Sequence, residues 1–236
     1  METPHVTAVS AETISNITRL ALSTADLDTL RACTSAVLDY VFFNRAVSGH
    51  LILPGDITVG TDVITFRERT TKRRRGGTPG QRLRTFNTRG NPDIPAVFRR
   101  WMTAQAREWN STPEDSDHFW RLPGERAPVA LTVSHWFSQL MRRHPEISRI
   151  PHRHHDLRAG GASACFALDV PEAHIRAWGD WAPQGRAFWR YIEVMRQPTE
   201  ADFRLFGWMT LTARDLHTRL AHIFVPSEPS TVRGQV

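Results

Sequence analysis

The chain has 236 residues, 40% of them hydrophobic and 23% charged. That is enough for one large core, while its longest apolar runs, such as AVLDYVFF, are too short and too broken by charge to span a bilayer. The two cysteines, Cys33 and Cys165, stand far apart with no CxxC pattern, which excludes a disulfide framework and implies a reducing, intracellular setting, nuclear in a eukaryote and otherwise cytoplasm or nucleoid. The net charge of +6 is concentrated in one window, where Arg67, Arg69, Lys72, Arg73, Arg74, Arg75, Arg82, Arg84 and Arg89 face Glu68 alone. Such a block marks a surface for a polyanion, with nucleic acid the usual partner; the bland alternative is a solvated charge run or a localisation signal.

Residues 1–23 are weakly patterned and read as an N-terminal extension; their opening METPHVTAVSAETISN lacks the basic start and apolar run of a secretory signal. From Thr24 the apolar positions Leu27, Leu30, Cys33, Val37, Leu38, Val41 and Phe42 follow a helical period, predicting a core-facing helix that ends near Arg45. LILPGD breaks it, and ITVG, TDVITFRE and QRLRTFN read as three short strands joined by Gly and Pro turns, with TKRRRGG at a hairpin tip. Helical patterning returns in IPAVFRRWMTAQAREW and, past a polar loop at 111–117, in APVALTVSHWFSQLMRRH. Further helices are expected from about Arg153, after Val170-Pro171, over Gly185 to Met195 with Phe188, Trp189, Ile192 and Met195 as its apolar face, and over Thr199 to Ile223. Residues 226–236 form a Ser/Pro/Gly-rich flexible tail. The expected class is α+β, mostly α, with a small three-stranded antiparallel sheet.

Two residue types are scarce. Lys72 is the single lysine among thirty basic side chains, and it sits beside three arginines at a turn. Neighbouring cations lower a lysine pKa, so it can give up a proton where arginine cannot; chance survival on a surface loop is the alternative. The two tyrosines are Tyr40, in an apolar helix and expected in the core, and Tyr191, flanked by Arg186, Arg190 and Arg196. Cations around a phenol favour its ionised, nucleophilic form, although a half-buried structural tyrosine is the commoner case. The cluster PHRHHDLR offers His152, His154 and His155, but without a helical HxxxH pair or a second ligand cluster it does not read as a metal site. His152 and His154 are expected to face DNA or solvent.

Arg158 follows His155 by three, Trp181 stands 23 residues beyond Arg158 just after a Gly-Asp turn, and Tyr191 comes ten residues later. Upstream, Arg45 precedes Asp56 by eleven residues, and Lys72 lies in the hairpin that follows. This order of Arg45, Lys72, His155, Arg158, Trp181 and Tyr191 resembles the catalytic domain of the tyrosine recombinases, the phage integrase and Cre-type family. WGDW and FWRYI look more like recombinases of eukaryotic DIRS-type and crypton-type mobile elements than like bacterial ones. The resemblance covers roughly residues 24–195 and makes 24–225 a catalytic domain. Ser48 stands where the family carries an acidic residue, and AGGASACF replaces the commoner run after the second arginine. Relatives also place a helical clamp domain ahead of this one, so the chain reads as a fragment, an isolated catalytic domain, or one whose clamp comes from elsewhere.

The resemblance implies double-stranded DNA as partner and cleavage and rejoining through a 3′-phosphotyrosine, without ATP, metal or other cofactor. Arg45 and Arg158 would clamp the non-bridging oxygens of the scissile phosphate. Tyr191 would attack phosphorus, Lys72 would protonate the departing 5′-oxygen, His155 would move a proton, and Trp181 would donate its indole N–H to the phosphate. Phosphate-facing arginines are expected at Arg67, Arg69, Arg73, Arg74, Arg75, Arg82, Arg84, Arg153 and Arg186. Residues 199–223 would link copies into a tetramer on DNA, or else pack on their own domain. A non-cleaving DNA binder of the same descent and a type IB topoisomerase are the competing readings.

Overall fold

The computed structural model describes residues 7–49, 51–69, 81–110, 118–126 and 128–210. Around one core it arranges helices α1 (Ala11–Ser23), α2 (Leu27–Val41), α3 (Ala46–Gly49), α4 (Asp93–Trp109), α5 (Ala130–Arg143), α6 (His154–Ala167), α7 (Glu172–Trp178) and α8 (Glu200–Phe206). A three-stranded antiparallel sheet in the order β1 (Ile57–Val59), β2 (Val63–Arg69) and β3 (Gln81–Asn87) lies between α3 and α4 in sequence. Mostly helical, with one small sheet, it has the architecture expected from the sequence.

α2 is the centre of the core and is buried along nearly its whole length, Tyr40 included. The sequence reading placed its start at Thr24; it begins after Asp26, whose carboxylate accepts the Thr29 N–H at 2.9 Å as an N-cap. It also ends sooner than expected, because Phe43 takes φ +49, a left-handed conformation that a bulky residue adopts only when its surroundings hold it there.

Residues 11–23 are not a weakly structured extension. They form α1, capped by Ser10, with Ala11, Ile14, Ile17 and Ala21 buried along one face against the core. Ile14 and Ile17 carry this stripe with Ala11 and Ala21, and the buried threonines Thr13 and Thr18 flank it, so the helical period was present in the sequence.

In the sheet, β2 pairs both neighbours, with Ile57 opposite Phe66 and Phe66 opposite Arg84. One face buries Ile64, Phe66 and Glu68 from β2 and Arg84 and Phe86 from β3, while Leu83 on the other face is exposed. The hairpin leaves β2 at Arg69 and returns at Gln81, so Lys72, Arg73, Arg74 and Arg75 lie outside the described residues.

Two expected helices take different forms. Gly185 to Met195 is not an α-helix: Arg186–Tyr191 is a 3₁₀ turn. Its period of three puts Phe188 and Tyr191 on one inward side and leaves Trp189 and Met195 exposed. The segment expected as one helix from Thr199 changes to a 3₁₀ turn at Gly207–Thr210. In this part Leu205 and Phe206 are buried in the chain's own core, Phe206 meeting the rings of Tyr40, Phe43 and Phe86. Residues 211–223 lie outside the described residues.

Candidate active site

α6 carries two of the sequence-selected residues, His155 and Arg158. Its first turn is fixed by Asp156, whose carboxylate accepts the Arg153 N–H at 2.7 Å. Further along, Gly160 and Gly161 let the helix press into the core. A β-carbon on Gly160 would lie 2.0 Å from the Val9 carbonyl oxygen, and one on Gly161 would lie 2.4 Å from that of Tyr40 and 2.5 Å from the Phe43 ring. The diglycine therefore sets how near Arg158 comes to the end of α2, and with it to Arg45.

Tyr191 is brought to the same place by Ser163, a residue that sequence reasoning passed over. Its buried hydroxyl donates to the Tyr191 carbonyl at 2.9 Å and accepts the Glu193 N–H at 3.0 Å, which pins both sides of the tyrosine to α6. Arg176, also buried, donates to the carbonyls of Ala182 and Gly185 at 3.1 and 2.9 Å and lies over the Phe188 ring, so α7 holds the turn that leads into Arg186–Tyr191. Trp181 folds back over the site because Gly179 has no side chain; a β-carbon there would lie 1.8 Å from the indole.

The result is a compact cluster. The Tyr191 ring is 4.9 Å from that of His155 and 5.2 Å from that of Trp181, and the Arg158 guanidinium lies 5.4 Å from Tyr191 and 3.9 Å from Trp181. Arg45, partly exposed, is close enough for its charge to act on both His155 and Arg158. Four of the six residues selected from the sequence therefore converge, Arg45 acts on His155 and Arg158 through its charge, and Lys72 lies outside the described residues.

The electrostatics are cationic. Burial, then the charge of Arg158, lowers the His155 pKa below the usual imidazole value of 6.5, so the ring is mainly neutral at pH 7. Arg158 is 4% exposed, and burial and the Arg45 charge both weaken its hold on its proton. Its guanidinium donates to the Phe43 carbonyl and, at 2.5 Å, to that of Gly179, while its Nε–H has no partner. The Trp181 indole N–H is likewise buried and unpartnered. Two donors without acceptors beside one phenol are a costly arrangement that an anionic oxygen would relieve.

The remaining expectations divide. Arg67, Arg153 and Arg186 are exposed. Arg82 is partly exposed and donates to the Ala177 carbonyl. The side chain of Arg69 lies outside what the structure describes. Arg84 corrects the sequence reading: it is 4% exposed and points into the core, so it does not face DNA. His152 and His154 are also buried rather than facing DNA or solvent. His154 Nε2 lies 2.8 Å from the Asp39 carboxylate, and His152 sits 3.2 Å from both the Ser148 hydroxyl and the Thr7 carbonyl.

No protein-family model matches the chain, and no curated protein matches it. Solved structures do. The XerH site-specific recombinase bound to its difH substrate, in a pre-cleavage complex, aligns with a TM-score of 0.59 at 10% identity over 78% of this chain and 49% of its own. The post-cleavage complex of XerH with palindromic difH gives 0.60 at 10% identity over 91% and 52%. A lambda integrase (75–356) dimer bound to a COC′ core site gives 0.53 at 12% identity over 85% and 64%. The chain thus spans about half the length of the XerH chains, and its fold is that of the tyrosine recombinase catalytic domain.

Among the described residues no helix is long and apolar enough to cross a membrane.

Proposed function

We propose that this chain cleaves and rejoins double-stranded DNA through a phosphotyrosine intermediate. The observation that carries the reading is the convergence of Tyr191 with His155, Arg158, Trp181 and Arg45 on a fold shared with XerH and lambda integrase. In the proposed step the Tyr191 phenol oxygen bonds to phosphorus as the bond to the 5′-oxygen breaks. The phenolic proton passes to the neutral His155 ring, and Lys72 supplies a proton to the departing 5′-oxygen. Arg45 and Arg158 offset the charge that grows on the non-bridging oxygens, and the Trp181 indole N–H donates to one of them. Rejoining runs the same steps backwards with a 5′-hydroxyl as nucleophile, so the bond energy stays in the covalent link.

The reading places exposed Arg67, Arg153 and Arg186 on the DNA backbone, with Arg69, Arg73, Arg74, Arg75 and Arg82 alongside. It includes assembly of four copies on paired sites through residues 199–223, of which 211–223 lie outside the described residues and Leu205 and Phe206 pack on their own core; cross-linking on DNA before and after truncation at 210 tests this.

The decisive experiment incubates the protein with a nicked suicide duplex drawn from sequence flanking its own gene, then looks for a covalent adduct on a denaturing gel. An adduct that is lost in Tyr191→Phe is the expected result. A second reading, a DNA binder that does not cleave, is favoured by the engagement of Arg158 with two backbone carbonyls and by the enclosure of the Trp181 N–H. Binding without an adduct, on this duplex and on supercoiled plasmid, would establish that alternative.

A further inference from the structure

Arg84 lies on β3 with its guanidinium in the core, between the rings of Phe42 and Phe66 at 5.5 and 5.4 Å. It meets Glu68 at 3.0 Å across the β2–β3 pair. It also donates to three acceptors from two remote segments: the Phe42 carbonyl, the Asn44 side-chain oxygen, and the Trp178 carbonyl at 2.9 Å. Arg158 takes the next carbonyl on each segment, those of Phe43 and Gly179. Two arginines thus bridge two adjacent pairs of carbonyls. The bridged segments lead directly to Arg45, which follows Asn44, and to Trp181, two residues beyond Gly179.

Burial makes this cation costly, lowering the Arg84 pKa against the opposing pull of Glu68. Well-packed apolar side chains replacing the whole Arg84–Glu68 pair would serve stability as well or better, so a buried pair is weak evidence of a stability role, although removing Arg84 alone strands Glu68 and three acceptors. What only the planar fork of a guanidinium provides is fixed direction toward several acceptors at once; a lysine offers a point charge. We propose that Arg84 is a positioning residue, which holds Arg45 in register with Trp181 and never touches DNA. The inference rests on the cleavage reading above.

The test is a double-mutant cycle between Arg84→Met and Arg45→Lys, read as the single-turnover rate of adduct formation, with DNA affinity measured alongside. Arg84→Met is expected to bind the nicked duplex nearly as wild type does and to form adduct at least about tenfold more slowly, since small misplacements of a charge clamp are expensive in rate. In the Arg45→Lys background the same change should add little, because the loss already acts through Arg45. If the two losses multiply, or if Arg84→Met cleaves at the wild-type rate, Arg84 is a structural residue only and the inference is wrong. Should Arg84→Met fail to fold, Asn44→Ala removes the acceptor next to Arg45 and enters the same cycle with the same expectation. An absence of adduct with the wild-type chain would instead overturn the cleavage reading and this inference with it.

Discussion

The Arg158 guanidinium lies 3.9 Å from the centre of the Trp181 ring and within 5.4 Å of the Tyr191 ring, while the two rings meet edge to face. A cation on the face of an indole is held by the ring quadrupole, so the three side chains shift together. A change in α6 is therefore expected to disturb Arg158, Trp181 and Tyr191 together.

Ser163 is the residue through which that coupling is most open to test. Ser163→Ala leaves the buried Tyr191 carbonyl and Glu193 N–H without their shared partner, at a cost of about 1–3 kcal/mol. Adduct formation is expected to slow by about tenfold while DNA affinity changes little, since the change loosens the nucleophile and not the backbone contacts. Parallel gel-shift and suicide-substrate assays check this; equal losses in both would point to a general disturbance of the fold.

Gly161→Ala forces a β-carbon against the Tyr40 carbonyl and the Phe43 ring. Overpacking of this kind costs about 1–3 kcal/mol, and here the rigid partners are backbone and an aromatic ring in a left-handed residue. A lower melting temperature together with slower cleavage is the expected pair of results; an unchanged melting temperature would show that α6 can draw back freely.

In the proposed step it is the neutral His155 ring that accepts the phenolic proton. The cleavage rate should therefore fall as pH drops through its lowered pKa, giving an acid limb whose midpoint lies below 6.5. In His155→Gln that limb should vanish at a reduced, flat rate. A rate profile in which the mutant keeps the limb would assign the titration to another group.

Lys72→Ala should slow cleavage far more than it weakens binding, since the loss is of a proton donor. Replacing the bridging 5′-oxygen by sulfur makes a leaving group that needs no proton, and the variant should recover most of its rate on that substrate. No recovery would remove Lys72 from the acid role.

Exposed and buried arginines should separate in salt titrations. Arg67→Ala should lower the slope of log affinity against log salt by about one phosphate contact, whereas Arg84→Met should leave the slope unchanged.

Much of the fold was legible because periodicity reports burial: the strands, the sheet and most helices follow from apolar spacing alone. The grouping of His155, Arg158, Trp181 and Tyr191 was reachable for another reason, since a scarce residue such as Tyr191 stands out in an arginine-rich chain, whereas Lys72 lies outside the described residues. Arg84 was misread because a dense basic block was taken as one surface. Strand alternation held the correction, as Arg84 shares its face with Phe86 and leaves Leu83 outside. Ser163 carries a weak mark, since a lone hydroxyl in a run of small residues has no pattern, whereas α1 was missed although Ala11, Ile14, Ile17 and Ala21 keep a helical period. The 3₁₀ turn at Tyr191 depends on the Ser163 contact, 28 residues away, and on hydrogen bonds from Arg176 that apolar spacing does not report.

Three successive carbonyls close α2. Val41 receives the Trp178 indole N–H at 2.9 Å, Phe42 receives Arg84, and Phe43 receives Arg158. These donors come from α7, β3 and α6, as much as 137 residues along the chain from their acceptors. Contacts this distant in sequence carry a loop-closure entropy that the docked core has to offset. The stretch leading to Arg45 is consequently shaped by the docking of three other elements and not by its own local sequence, so a change in α6, α7 or β3 is felt at Arg45 without touching it.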